Sequence, residues 1–211
     1  MTKSQAQASR RVRLDVGAVV RAALRLLEDK GADGVSVRGT ADLLGVRMNT
    51  VLWHAKTKPR LVELMADAII GEVSVAGLPE PGEERARELA CRYRGTLLAH
   101  RDGARIVAGT YPVEPATLGF ADLMVESLLA AGRGEREAVW VCWSVLYFVL
   151  GLTQEEQSFP RADQHRFRTA VTPADHPSLH RVVAHFEEAS FDDRFDHGLS
   201  LLLRARPGQG D

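Results

Sequence analysis

The sequence predicts an all-α protein, with a small N-terminal head and a larger helical body. Three observations carry that prediction. Apolar residues recur at helical spacing in segment after segment from Asp15 to Arg204. Glycine and proline punctuate those segments at their ends. No segment alternates apolar and polar residues as a half-buried strand does.

The elements follow in order. A first helix is expected from Asp15 to Lys30, with Val16, Val19, Val20, Ala23, Leu24, Leu26 and Leu27 on one apolar face and Gly31 as its stop. Ser36 is a suitable N-cap for a short second helix to Leu44, and Gly45 permits a tight turn. A third short helix is expected over Arg47–His54. Lys58-Pro59 opens a fourth, running to Glu72. Gly77–Gly82 (GLPEPG) is the best candidate boundary or hinge. Beyond it the spacing predicts helices at Glu83–His100, Asp102–Ala108, Glu114–Ala131, Glu135–Ser158, Ser178–Glu188 and Phe191–Arg204, with Thr110–Pro115 as a loop. Phe159–Pro177 is the least patterned stretch and is expected to be mobile. The tail, 206–211, is expected to fray because of its proline and glycines.

Composition narrows the class. The chain has 211 residues, 45% hydrophobic and 26% charged, ordinary values for a globular protein with a sizeable core. No run of about 18 apolar residues marks a membrane span. The basic start lacks the apolar stretch of a secretory signal, so the expected location is the cytoplasm. Cys91 and Cys142 both sit in apolar helical patterns and read as reduced core thiols rather than a disulfide or metal site. The net charge of −1 hides an asymmetry. Residues 1–60 hold 12 Lys/Arg against 5 Asp/Glu, a net of +7, which leaves −8 for the remainder. A cationic head on an acidic body suits a polyanion partner.

The head supplies a geometry for that partner. Short helix, glycine turn, short helix is the arrangement of a helix-turn-helix, with Ala41, Leu44, Val46 and Val51 as the apolar residues that lock the two helices. The second of them opens with Arg47, Met48, Asn49 and Thr50, groups able to reach base edges or phosphates from a major groove. Trp53, His54 and Lys58 are placed to hold the flanking backbone. Arg38 and the 1–14 arm, with Arg10, Arg11 and Arg13, add positive charge. A purely structural role remains open for three of these: Met48 and Trp53 can simply pack, and His54 can cap the turn.

At these residues the chain resembles the TetR family. Gly31–Lys58, GADGVSVRGTADLLGVRMNTVLWHAKTK, is similar to that family's DNA-binding head almost position by position, most specifically in its LGV turn, its TVLWH run and Lys58. Leu52 departs from it, where an aromatic is common. RDGARIVAGTYP (Arg101–Pro112), LGLTQEEQ (Leu150–Gln157) and FDHGL (Phe195–Leu199) resemble the tetracycline-repressor subclass. The resemblance implies a helix-turn-helix DNA-binding domain over 15–60 and a ligand-binding and dimerisation domain over 61–205. It implies a homodimer joined through the Glu135–Ser158 and Phe191–Arg204 helices, with Trp140, Val141, Ser144, Phe148, Leu199 and Leu202 as interface candidates. It also implies a palindromic double-stranded operator and a small-molecule effector that releases it.

The effector site departs from the subclass. Val107 stands where the resemblance places a metal-binding histidine, Ser74 and Leu89 replace two polar positions, and Glu155 retains an acidic one. Valine offers no metal ligand. The expected ligand is therefore metal-free and more apolar, with no cofactor. Candidate lining residues are Tyr93, Val107, Thr110, Met124, Cys142, Trp143 and Tyr147, with Glu155 as a polar anchor; core or interface packing is the alternative for most of them.

Two other functions are weighed. The sequence leaves a ligand-responsive activator open beside a repressor. A small metal-dependent enzyme would draw on Asp175, His176, His180 and His185, but Pro177 interrupts the pair spaced by four, and no HExxH order, nucleophile elbow or phosphate loop is present.

Overall fold

The computed structural model describes residues 14–110, 113–158 and 164–204. Among them are eleven helices and no strand. The chain divides into two compact units, Met1–Leu61 and Val62–Asp211, so the division falls inside a helix. Gly77–Gly82, the candidate boundary or hinge, lies in a run of turns inside the second unit. The basic arm (Arg10, Arg11 and Arg13 included) and the 206–211 tail lie outside the described residues.

The head is built from local signals. In α1 (Val16–Gly34) Asp15 caps the N-terminus, accepting from the Ala18 N–H at 2.7 Å. Val19, Val20, Ala22, Ala23, Leu26 and Leu27 form its buried face. Gly31, expected to stop the helix, has φ 72° and ψ 178° and breaks the helical geometry, but one further turn continues to Gly34. α2 (Val37–Leu44) begins at Ser36, whose Oγ accepts from the Gly39 N–H at 3.0 Å. Gly39 has no side chain to keep α2 off α1: a Cβ there would meet Leu26 at 2.8 Å. Gly45, at φ 65°, ends α2 in the left-handed region and returns its N–H to Ala41 and Asp42. α3 (Met48–Ala55) then buries Val51 and Ala55. Fully burying the α1 side chain Leu27 is worth about 2 kcal/mol.

α4 (Lys58–Ile70) carries the chain from the first unit into the second, burying Leu61, Met65, Ala66, Ile69 and Ile70. The second unit continues with α5 (Glu83–Ala99), α6 (Gly103–Ala108), α7 (Pro115–Ala130), α8 (Glu135–Ser158), α9 (Gln164–Ala170), α10 (Pro177–Glu188) and α11 (Phe191–Leu203). α8 is its axis: α5, α6, α7 and α11 all pack on it. By length and composition alone α8 is long and apolar enough to cross a membrane, although no unbroken run of about 18 apolar residues lies in it. Single polar residues such as Ser144 interrupt its apolar runs, but they are too few to make the helix polar overall. α9 places a short helix within the least patterned stretch, 159–177; residues 159–163 lie outside the described residues.

Polar contacts fix the body helices to each other. The Gln157 side chain donates to the carbonyls of Leu97 and His100, at 2.9 and 2.8 Å, and accepts from the Ala104 N–H at 3.1 Å. One α8 amide thereby satisfies backbone groups at the end of α5 and the start of α6. Arg133 closes α11, donating to the Leu203 carbonyl at 2.7 Å. Gly198 leaves room for the Phe148 ring, which stacks on Phe195 at 6.1 Å.

Candidate DNA-reading face and effector core

The start of α3 faces solvent. Arg47 is its N-cap, and Arg47, Met48 and Asn49 are all exposed, while Thr50 is half-buried behind them. Arg38 is exposed on α2, and Lys58 at the start of α4. Trp53 is 74% exposed, which removes the packing reading for that side chain. Met48, at 47%, does not pack fully either. His54 is half-buried in the last turn of α3. Exposed Arg47, Met48 and Asn49 thus stand at the α3 N-terminus, where the helix's own geometry favours an anion.

One residue of this face escaped the sequence reading. Lys56 is exposed, and its Nζ lies 4.9 Å from the centroid of the Trp53 ring. The signal available was only a lysine three residues after a tryptophan, with nothing to indicate the backbone between them.

The eight effector candidates separate into two sets. Tyr93, Val107, Met124 and Cys142 are buried on α5, α6, α7 and α8, with Thr110 half-buried just after α6. α5 packs on α6, α7 and α8, and α8 packs on α6 and α7, so these residues belong to one helical core. The Tyr93 ring lies 5.0 Å from that of Phe120, a residue absent from the sequence candidates although it sits one turn from Met124 on α7. Burial holds the Tyr93 phenol well above its usual range and pushes the Cys142 thiol up to about 11, so both stay neutral. Thr110 Oγ1 donates to the Val107 carbonyl at 2.9 Å. Leu89 is fully buried in the same unit and Ser74 is exposed.

Trp143, Tyr147 and Glu155 form the second set, on the outer side of α8. Trp143 and Tyr147 stack on each other at 5.4 Å yet are 36% and 63% exposed. Glu155 is exposed and pairs with Arg194 at 3.5 Å. Within one chain these three do not face the Tyr93–Met124 core.

The interface candidates also separate. Trp140 is 58% exposed and Ser144 exposed, whereas Val141, Phe148 and Leu202 are half-buried. Leu199 is fully buried, a correction: α11 packs this residue inside its own chain against α8.

The chain matches known proteins over nearly its whole length. Residues 78–204 match the family described as Tetracyclin repressor-like, C-terminal domain. The class G tetracycline repressor protein of Vibrio anguillarum is 33% identical over 195 residues, covering 90% of this chain and 92% of its own. A solved structure of a possible TetR family transcriptional regulator from Streptomyces coelicolor A3(2) is 35% identical with a TM-score of 0.79, covering 90% of this chain and 97% of its own. The TetR family protein ActR of Streptomyces coelicolor, solved in complex with (S)-DNPA, is 28% identical with a TM-score of 0.79, covering 90% and 95%. With the helix-turn-helix and the α8-centred body, these matches establish that the chain belongs to the TetR family of ligand-responsive DNA-binding regulators, in its tetracycline-repressor-like branch.

Proposed function

We propose that this protein is a cytoplasmic, homodimeric repressor that binds a palindromic operator and releases it when a metal-free aromatic or lipophilic effector enters the α5–α8 core. The outward presentation of Arg47, Met48 and Asn49 at the start of α3 carries the DNA half of this reading. Asn pairs naturally with adenine and Arg with guanine, while Lys58 and Arg38 supply phosphate neutralisation. One short helix reads few base pairs; a second copy doubles the footprint and imposes the palindrome.

The effector half rests on Val107. It is buried, and Leu89, Met124 and Cys142 add apolar surface to the same core. A hydrated dication placed against valine loses water ligands without replacement, at a cost of several kcal/mol. An aromatic compound instead gains burial against Tyr93 and Phe120, with Thr110 as a hydrogen-bonding group. The effector must bind the released state better than the DNA-bound one; a coupling of about 1–3 kcal/mol makes DNA and effector antagonists.

The test is a titration of the protein–operator complex with tetracycline, with and without magnesium. No release at micromolar tetracycline under either condition is expected. Magnesium-dependent release in that range would contradict the reading of the core while leaving the DNA-binding assignment standing.

A further inference from the structure

Among the described residues Trp53 is the most exposed large apolar side chain, and one cation lies over its ring. That cation, Lys56, has an unusual backbone. Its φ is 63° and ψ −54°, and the Thr57 N–H donates across it to the Ala55 carbonyl at 2.7 Å. Three residues closed by such a bond, with the central residue at these angles, form the rare and strained hand of γ-turn. A non-glycine residue holds that geometry only where its surroundings over-determine it. Here they do so from both sides. The Lys56 N–H donates to the Leu52 carbonyl at 2.8 Å, completing α3. Thr57 Oγ1 accepts from the Arg60 N–H at 3.1 Å, starting α4.

The strain has a geometric product. An extended or helical residue 56 would direct its side chain along another path, whereas this turn places its Nζ 4.9 Å from the Trp53 ring centre. A cation over the indole face leaves the ring edge, with its single N–H donor, as the group free to meet a partner. The ammonium is then close to whatever anion that N–H engages.

We propose that Lys56 is a positioning residue of the DNA-reading face: its γ-turn returns the ammonium over Trp53, fixing the indole so that its N–H and the Lys56 charge address the same backbone phosphate. This rests on the reading that α3 faces DNA. It assigns the α3–α4 turn a role beyond joining two helices.

The experiment uses the full chain and a duplex selected by the wild-type protein from a random pool. Lys56→Gly suits the left-handed backbone but removes the cation, so folding is preserved and only the side chain is lost. Lys56→Arg keeps the cation. With 5-fluorotryptophan incorporated, the Trp53 fluorine resonance, assigned through Trp53→Phe, should move and narrow in Lys56→Gly without DNA and stay near its wild-type position in Lys56→Arg. Operator affinity should fall about tenfold in Lys56→Gly and recover most of that in Lys56→Arg. In a Trp53→Ala background, Lys56→Gly should cost only about two- to threefold, the share of one phosphate charge. An unmoved fluorine resonance, or equal losses in both backgrounds, would overturn the proposal and leave Lys56 as an isolated charge. Full affinity in Arg47→Ala and Asn49→Ala would instead remove the α3 reading itself, and this proposal with it.

Discussion

Asp67 on α4 caps α7, fifty residues away: its Oδ1 accepts from both the backbone N–H and the hydroxyl of Thr117, each at 2.8 Å. The N-cap residue of α7, Glu114, makes no side-chain cap bond of its own, so α4 supplies it. The carboxylate also opposes the positive end of the α7 dipole. Gly71 admits the close approach, since a Cβ there would meet Ala116 at 3.3 Å. Asp67→Ala should therefore destabilise the protein by about 1–2 kcal/mol, Asp67→Asn by less because an acceptor remains, and Thr117→Val by about 1 kcal/mol. Thermal unfolding at fixed protein concentration checks this; unchanged midpoints in Asp67→Ala would deny the cap any energetic role.

Arg94 joins α5 to α8 and α11. It donates to Glu156 at 2.7 Å and to Asp192 at 2.6 Å, and its guanidinium lies 4.9 Å from the centre of the Phe195 ring. Desolvation lowers its pKa, but the hydrogen bonds to Glu156 and Asp192 outweigh it and hold the group charged. The Asp192 arm is well exposed and contributes little; the Glu156 arm is the sheltered one. Arg94→Met should cost about 2–3 kcal/mol, since it strands a partly buried carboxylate. Glu156→Gln in that background should recover part of the loss, and urea unfolding of the four variants in a double-mutant cycle measures it.

The order and ends of most helices were legible because their causes are local. Asp15, Ser36 and Gly45 act on neighbours within a few residues, and the structure uses Asp15 and Ser36 as N-caps and Gly45 as a C-cap. α9 was not legible: Gln164–Ala170 is short and polar, with Phe167 its one large apolar residue, so it has no period to detect. The outer position of Trp143 and Tyr147 was hidden for the opposite reason. α8 is apolar nearly all round, and such a helix gives no sign of which face its own chain covers. The turn at Lys56 has no signature in residue type, because lysine does not favour positive φ. Asp67–Thr117 and Arg94–Glu156 join residues far apart in sequence, which no local pattern reports.

The outer side of α8 bears on assembly. Trp140 and Tyr147 are 58% and 63% exposed, and Leu201 on α11 is 55% exposed. If these residues meet a second copy, as the dimer reading requires, a charge among them meets desolvation on both sides of the two-fold axis. Trp140→Glu should shift sedimentation from dimer to monomer at micromolar concentration and weaken operator binding more than about tenfold, because the second half-site is lost. A wild-type protein that sediments as a monomer at that concentration would contradict the dimer.

The central claim is that α3 reads DNA sequence, and operator selection tests it most directly. The full chain is incubated with a random duplex pool, the retained sequences are determined, and the affinity of the best one is measured against a scrambled duplex and an RNA duplex across a range of salt. The account predicts a palindromic sequence bound by two chains, preferred over the scrambled duplex by about a thousandfold or more, with affinity falling steeply as salt rises. Arg47→Ala or Asn49→Ala should each narrow that preference by about 1–3 kcal/mol, while Lys58→Ala should weaken both duplexes alike and reduce the salt slope. Retention of no consensus sequence, or equal binding to RNA, would contradict it.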